Sequence, residues 1–389
     1  AASKLRDRLW SLAVTTLRSD AGLAYFRLTY PHRAGMRDWS VPMIWWLAGR
    51  ATAGVAAQAL VLVIPLWRSG FRFRPRWGFR GVGLGTASTV ALWTFGALTI
   101  STAGFIITSQ VLTYAGKAGA LAHLVVPGKI SYTNAFLIFM LPHSLVTVSL
   151  VTALFTRMSR SAHAGDLGEV SSDVTKGMRL TAVATIPATV GALVLGFAAT
   201  ATLFQGNTEA ETRGIATVMM AMMFGLVPFG ILYLLQRVFY SFEDARTPFR
   251  LQIVVTGVAT IANLASLALP IRWIAVGVGA GQALSNLAGM SVGLILVRRR
   301  LEVLHLRDVV RVYARIGVAS LVAGAAAYLM LLGVGQVLHG KLYNPVGLLC
   351  GALVFAAMYV VAARRLHVRE IDDLVQPVLE RVRRVLPRR

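Results

Sequence analysis

Residues 180–203 read LTAVATIPATVGALVLGFAATATL, twenty-four positions without one charged side chain. At 1.5 Å of rise per helical residue they reach about 36 Å, enough to cross a hydrocarbon core about 30 Å thick. Lipid offers the backbone no hydrogen bonds, so such a segment must satisfy its own N–H and C=O groups as a helix. Lys176 and Arg179 stand just before it. After it come Glu209, Glu211 and a single base, Arg213. The segment therefore has one basic end and one base-poor end.

The same pattern recurs along the chain. Nine spans are read, at about 42–67, 83–112, 130–156, 180–205, 214–238, 249–270, 272–297, 311–334 and 344–363. The sixth and seventh are divided only at Pro270–Ile271, a tight helical hairpin. Of the 389 residues 56% are hydrophobic and 14% charged, with a mean hydropathy of +0.65. A soluble domain carries roughly a quarter charged residues. The predicted fold class is an all-α polytopic membrane protein.

The net charge is +23. In a soluble protein that balance points to nucleic acid. Here the bases sit in short clusters between apolar spans, where they face lipid headgroups and set orientation. No nucleic-acid partner is read. With their flanks, the segments after spans one, three, five, seven and nine hold 26 Lys and Arg; those after spans two, four, six and eight hold five. The rich set includes Arg72, Arg74, Arg76, Arg80, Arg298, Arg299 and Arg300. The poor set is Lys117, Lys129, Arg213, Arg272 and Lys341. The positive-inside rule places the rich segments and the C-terminus in the cytoplasm.

That parity puts residues 1–41 outside, although they carry seven bases. Further spans upstream would explain it, since long external segments translocate largely regardless of charge. Residues 4–18 have the apolar spacing of a helix lying on a membrane surface, with a signal peptide as the alternative. Residues 366–389 alternate apolar and charged positions, as expected of a solvated or headgroup-associated helix.

Catalytic chemistry finds no support in the sequence. All sixteen carboxylates fall outside the spans, and no Ser–His–Asp, Cys–His or paired-carboxylate arrangement occurs. The single cysteine, Cys350, lies in an apolar run, and no Cys/His set has metal-ligand spacing. We expect no enzyme, no cofactor and no metal.

The candidate residues are polar groups at depth. Arg50 lies well within span one; it faces an aqueous cavity or snorkels to the headgroups. Span three carries Ser131, Tyr132, Asn134, His143 and Ser144 beside Pro142, which frees a backbone carbonyl and should kink the helix. These groups, with Gln110, line a substrate cavity or act as interhelical hydrogen-bond glue. Gln282, Asn286 and Asn263 face the same two readings, with glue preferred. Small residues in span eight (Gly317, Ala319, Ala323, Gly324, Ala327) and span nine (Gly347, Cys350, Gly351) serve close packing or leave a shallow lipid groove. The loop LQRVFYSFEDARTPFR (235–250) reads as a charge-balanced cytoplasmic elbow, with Glu243 and Asp244 between Arg237 and Arg246. Thr247 is its expected helix cap, and Pro248 suits the first turn.

Three strings carry a family likeness: LVPFGILYLLQRVFYSFEDARTPF (226–249), LPHSLVTVSLVTALFTRMSRSAHAGD (141–166) and AQALVLVIPLWRSGFRFRPRWGFR (57–80). Together they resemble the MurJ/MviN lipid II flippases, over about residues 42–365. The resemblance implies an exporter fold of two six-span lobes around a central cavity, with the nine spans here as the family's sixth to fourteenth. By that likeness 42–112 is the end of the first lobe and the start of the second, 130–297 is the second lobe's core, and 311–363 makes a groove for a lipid tail. Segments 1–41 and 364–389 are then a basic external or surface segment and a cytoplasmic amphipathic basic tail. The implied cargo is lipid II, an undecaprenyl-pyrophosphate muropeptide, flipped outward for peptidoglycan synthesis. The implied partners are membrane lipids and wall-synthesis proteins at the tail. The family's cavity arginines belong to its first two spans, which have no counterpart here, and an Asp-Arg pair of some members is Phe136-Leu137 in this sequence. Another exporter of the same superfamily, or a non-transporting scaffold for wall synthesis, is the alternative.

Overall fold

The computed structural model describes residues 40–45, 48–49, 52–54, 56, 84–301, 304–338, 340–368 and 370. Contacts divide the chain into two units, Ala1–Val82 and Gly83–Arg389. The boundary falls between the two spans of 42–112. Of the first unit only short helical pieces are described, so most of span one, and Arg50 with it, lies outside the described residues.

In the second unit the described regular structure is helical. It comprises α1 (Leu84–Leu121), α2 (Lys129–Pro142), a π turn (His143–Thr147), α3 (Val148–His163), α4 (Leu167–Leu203), α5 (Glu209–Met223) and α6 (Leu226–Ser241). Then follow α7 (Arg246–Ala265), α8 (Ile274–Leu301), α9 (Leu306–Val337) and α10 (Tyr343–Arg365). Seven helical runs are long and apolar enough to cross a membrane, and the α5–α6 pair makes an eighth. These match predicted spans two to nine. The tight hairpin is there too: two 3₁₀ turns, Ser266–Ala268 and Ile271–Trp273, flank Pro270.

Two breaks matter. At Pro142 the helix continues through the π turn, and Lys129–His163 passes as one span. Pro142 has no N–H for the carbonyl four residues back, and the wider turn absorbs that loss without a sharp kink. The sharp bend lies elsewhere. α5 and α6, read as one span, meet at 48°. Pro228 cannot donate to Phe224, and Gly225 sits where α8 comes close: a Cβ there would lie 2.6 Å from the Ala283 Cα. Side chains of two neighbours reach carbonyls beside the bend. The Thr189 hydroxyl of α4 is shared between the Thr185 carbonyl at 2.9 Å and the Met223 carbonyl at 3.2 Å, and Asn286 of α8 donates its amide to Gly225 at 3.4 Å. Non-helical backbone at membrane depth persists only with such partners.

α4 is the central helix, touching α3, α5, α6, α9 and α10. On one side α9 and α10 form a closely packed pair. Tyr313 and Tyr359 tie that pair to α4, donating to the carbonyls of Met178 and Val183, each at 3.0 Å. On the other side lie α7 and α8, with α1 against α7. Buried clusters fill the gaps, one around Leu112, Phe139, Met219 and Met222, another around Met178, Leu234, Leu235 and Leu251. In lipid such clusters hold by close van der Waals fit and not by expulsion of water.

The start of the predicted tail is packed and not solvated. His367 takes a φ of 55°, the chain doubles back, and Val368 buries among Val312, Ile316 and Ala363. Glu370 pairs with Arg179 of α4. Residues 371–389 lie outside the described residues.

Candidate functional site

A cavity of about 320 Å³ opens between α1, α2, α6, α7 and α8. One wall is aromatic. Tyr132, Phe136 and Phe139 lie along α2, with ring centroids 6.4 and 5.9 Å apart, and Phe229 of α6 continues the row at 5.6 Å from Phe139. The spacing i, i+4, i+7 explains the row: it is one helical face. The other wall is polar and neutral. Gln236 comes from α6, Gln252 and Thr256 from α7, Gln282, Ser285 and Asn286 from α8, and Ser101 and Thr108 from α1. No Lys, Arg, His, Asp or Glu belongs to the lining.

The amides are only partly engaged. Gln252 donates to the Thr256 hydroxyl at 3.1 Å, one helical turn away. Gln282 donates to the Asn286 side-chain oxygen at 3.3 Å. Those bonds use the NH₂ ends and leave both glutamine carbonyl oxygens available. Asn263, about three turns along α7 from Gln252, is buried and donates to Thr108 at 2.9 Å. The interhelical glue read for Asn263 and Asn286 is therefore present, and Asn286 lines the cavity as well.

Of the residues named from sequence for cavity lining, Tyr132, Gln282 and Asn286 meet here and the others do not. Gln110 and Ser144 are exposed in this unit, and Ser144 bonds back to the Leu141 carbonyl at 3.2 Å. Ser131 and Asn134 are half-buried outside the lining. His143 is buried just behind it, 4.3 Å from the Phe229 ring and 5.2 Å from the Tyr233 ring, with its Nδ1 lacking a hydrogen-bond partner. Gln236 and Gln252 carried a signal that the sequence reading did not use. An amide within an apolar span is costly, and four of them face one space.

The small residues of α9 and α10 are mostly taken up by packing. Ala323 and Ala327 are fully buried. A Cβ at Gly324 would lie 2.9 Å from Val190 Cγ1, one at Gly351 2.7 Å from Leu195 Cδ2, and one at Gly347 3.1 Å from Leu331. Of the named glycines only Gly317 has open space beside it. The missing side chains let these helices approach α4 and each other.

The elbow is paired differently from expectation. Asp244 accepts from the Thr247 N–H at 3.1 Å and from its hydroxyl at 2.7 Å, so the aspartate and not the threonine caps α7. Asp244 also lies 3.5 Å from Arg300, and Glu243 lies 3.5 Å from His163. Neither acid is paired with Arg237 or Arg246 among the described residues. Arg237 donates to the Tyr233 hydroxyl at 2.9 Å and sits over the Tyr233, Tyr240 and Phe155 rings; Arg246 sits over Trp93. Pro248 stands in the first turn of α7, as read.

A family model described as lipid II flippase MurJ matches residues 27–342. A curated relative from Vibrio cholerae serotype O1, described as a probable lipid II flippase MurJ, is 24% identical over 277 residues, 70% of this chain and 50% of the relative. This chain thus spans about half the length of that relative. A solved structure of lipid II flippase MurJ in an inward closed conformation is similar with a TM-score of 0.57 at 16% identity, covering 82% of this chain and 62% of that one.

Proposed function

The chain belongs to the lipid II flippase MurJ family, and from that premise we propose that it moves an undecaprenyl-pyrophosphate-linked muropeptide from the cytoplasmic to the outer leaflet of a bacterial plasma membrane. The family match, which spans all described transmembrane helices except α10, carries this reading. The protein acts as a transporter by alternating access. In this reading the second unit is the second lobe together with the last two spans, and the 48° bend and the π turn are the places where its helices yield.

The basic elbows set the orientation: Arg298–Arg300 and the C-terminus face the cytoplasm. Wall-synthesis proteins at the tail are the protein partners this reading names. The test is translocation of lipid II by the complete protein in vesicles, together with rescue of wall synthesis on depletion of the host flippase. Rescue with translocation is the expected result. An intact, well-expressed protein that does neither would overturn the proposal.

A further inference from the structure

The lining of the 320 Å³ cavity constrains its occupant. A phosphate requires cations or a cluster of N–H donors, and this lining supplies no cation. Divalent metal sites are built mainly on carboxylate, His or Cys ligands, and none is there. What converges instead is a set of neutral amides from three helices. The carbonyl oxygens of Gln252 and Gln282 are left over after their NH₂ groups are engaged. Gln236 has no hydrogen-bond partner among the described residues, so it offers both a donor and acceptors. Such a set answers a ligand that is itself neutral and carries donors and acceptors together.

The facing wall is a row of aromatic rings, Tyr132, Phe136, Phe139 and Phe229. Rings of that kind cover the C–H face of a pyranose, while amides meet its hydroxyls and an acetamido N–H. The volume is at the lower end of the range for small-molecule sites, about 300–1,000 Å³. It suits one sugar ring with its acetamido arm.

We propose that this cavity is a binding site for a neutral N-acetylated hexosamine, held by Gln236, Gln252 and Gln282 against the aromatic wall. The proposal deepens the flippase reading: the site takes the sugar of the cargo and leaves its phosphates to other residues.

The test uses the complete protein in nanodiscs, with thermal unfolding read in the presence of N,N′-diacetylchitobiose, cellobiose or inorganic pyrophosphate. Chitobiose is expected to raise the unfolding temperature, and cellobiose, which lacks the acetamido groups, to act at least tenfold more weakly. Gln252→Leu and Gln282→Leu are expected to weaken the chitobiose response at least tenfold and to leave any pyrophosphate response unchanged. Gln236→Ala breaks no hydrogen bond among the described residues, so it keeps the test readable if another variant misfolds; it too must weaken the sugar response. Equal action of the two disaccharides, or wild-type sugar response in folded variants, would overturn the site. Lipid II translocation measured on the same samples separates the two readings. Translocation without sugar discrimination removes the sugar site and leaves the flippase. Selective chitobiose binding without translocation does the reverse.

Discussion

The side-chain amide of Asn263 in α7 donates to the hydroxyl of Thr108 in α1 at 2.9 Å, across 155 positions of sequence, and both side chains are buried. The Thr108 hydroxyl passes its own proton to the Gly104 carbonyl at 2.9 Å, so the bond ends in a satisfied chain. Interhelical bonds of this kind are worth about 0.6 kcal/mol on average and up to roughly 1.7 in membrane proteins. Asn263→Ala should destabilise the protein by about 1 kcal/mol, read as a lowered unfolding temperature in detergent. A double-mutant cycle with Thr108→Val should show coupling of similar size. Strict additivity would mean that the two helices are held without this bond.

Gly225 is a second test. Valine there would drive side-chain carbon into Ala283 and push α6 from α8. Overpacking of this sort costs about 1–3 kcal/mol. The same shift would pull the Gly225 carbonyl from Asn286. Gly225→Val should cut the folded yield several-fold, while Gly257→Val, beside open space, should leave it near wild type. Equal yields would show that the bend does not depend on this close approach.

Pro142→Ala restores an N–H where the helix lacks one. The π turn should relax toward a regular α-helix, because the carbonyl of Ile138 regains its partner. Insertion should be unaffected and lipid II transport slowed several-fold. Transport at the wild-type rate would remove the π turn from the mechanism.

Topology can be read with cysteine chemistry. The sequence has one cysteine, so Cys350→Ala gives a clean background. Cysteines introduced at Arg299 and at Asn207 should label from opposite faces, the first only after the cytoplasmic side is opened. Labelling of both from one face would invert or break the span order.

What the sequence determined by itself was the number and order of the described spans. Those properties are local. An apolar run such as Leu180–Leu203 must be a helix in lipid whatever surrounds it, and the runs are separated along the chain by clusters such as Arg298–Arg300. The family likeness was legible for the same reason, since its strings follow the chain. Tertiary structure decided the rest. The bend at Gly225 depends on how near Ala283 comes. The partners of Glu243 and Asp244 turned out to be His163 and Arg300, from helices distant in sequence. The small residues of α9 and α10 close on α4 and on each other, which no periodicity reveals. The cavity is assembled from five helices, and a glutamine on one of them carries no local sign that two others will face it. Packing partners in a bundle are chosen by shape between segments far apart in sequence, and that choice exists only once the chain has folded.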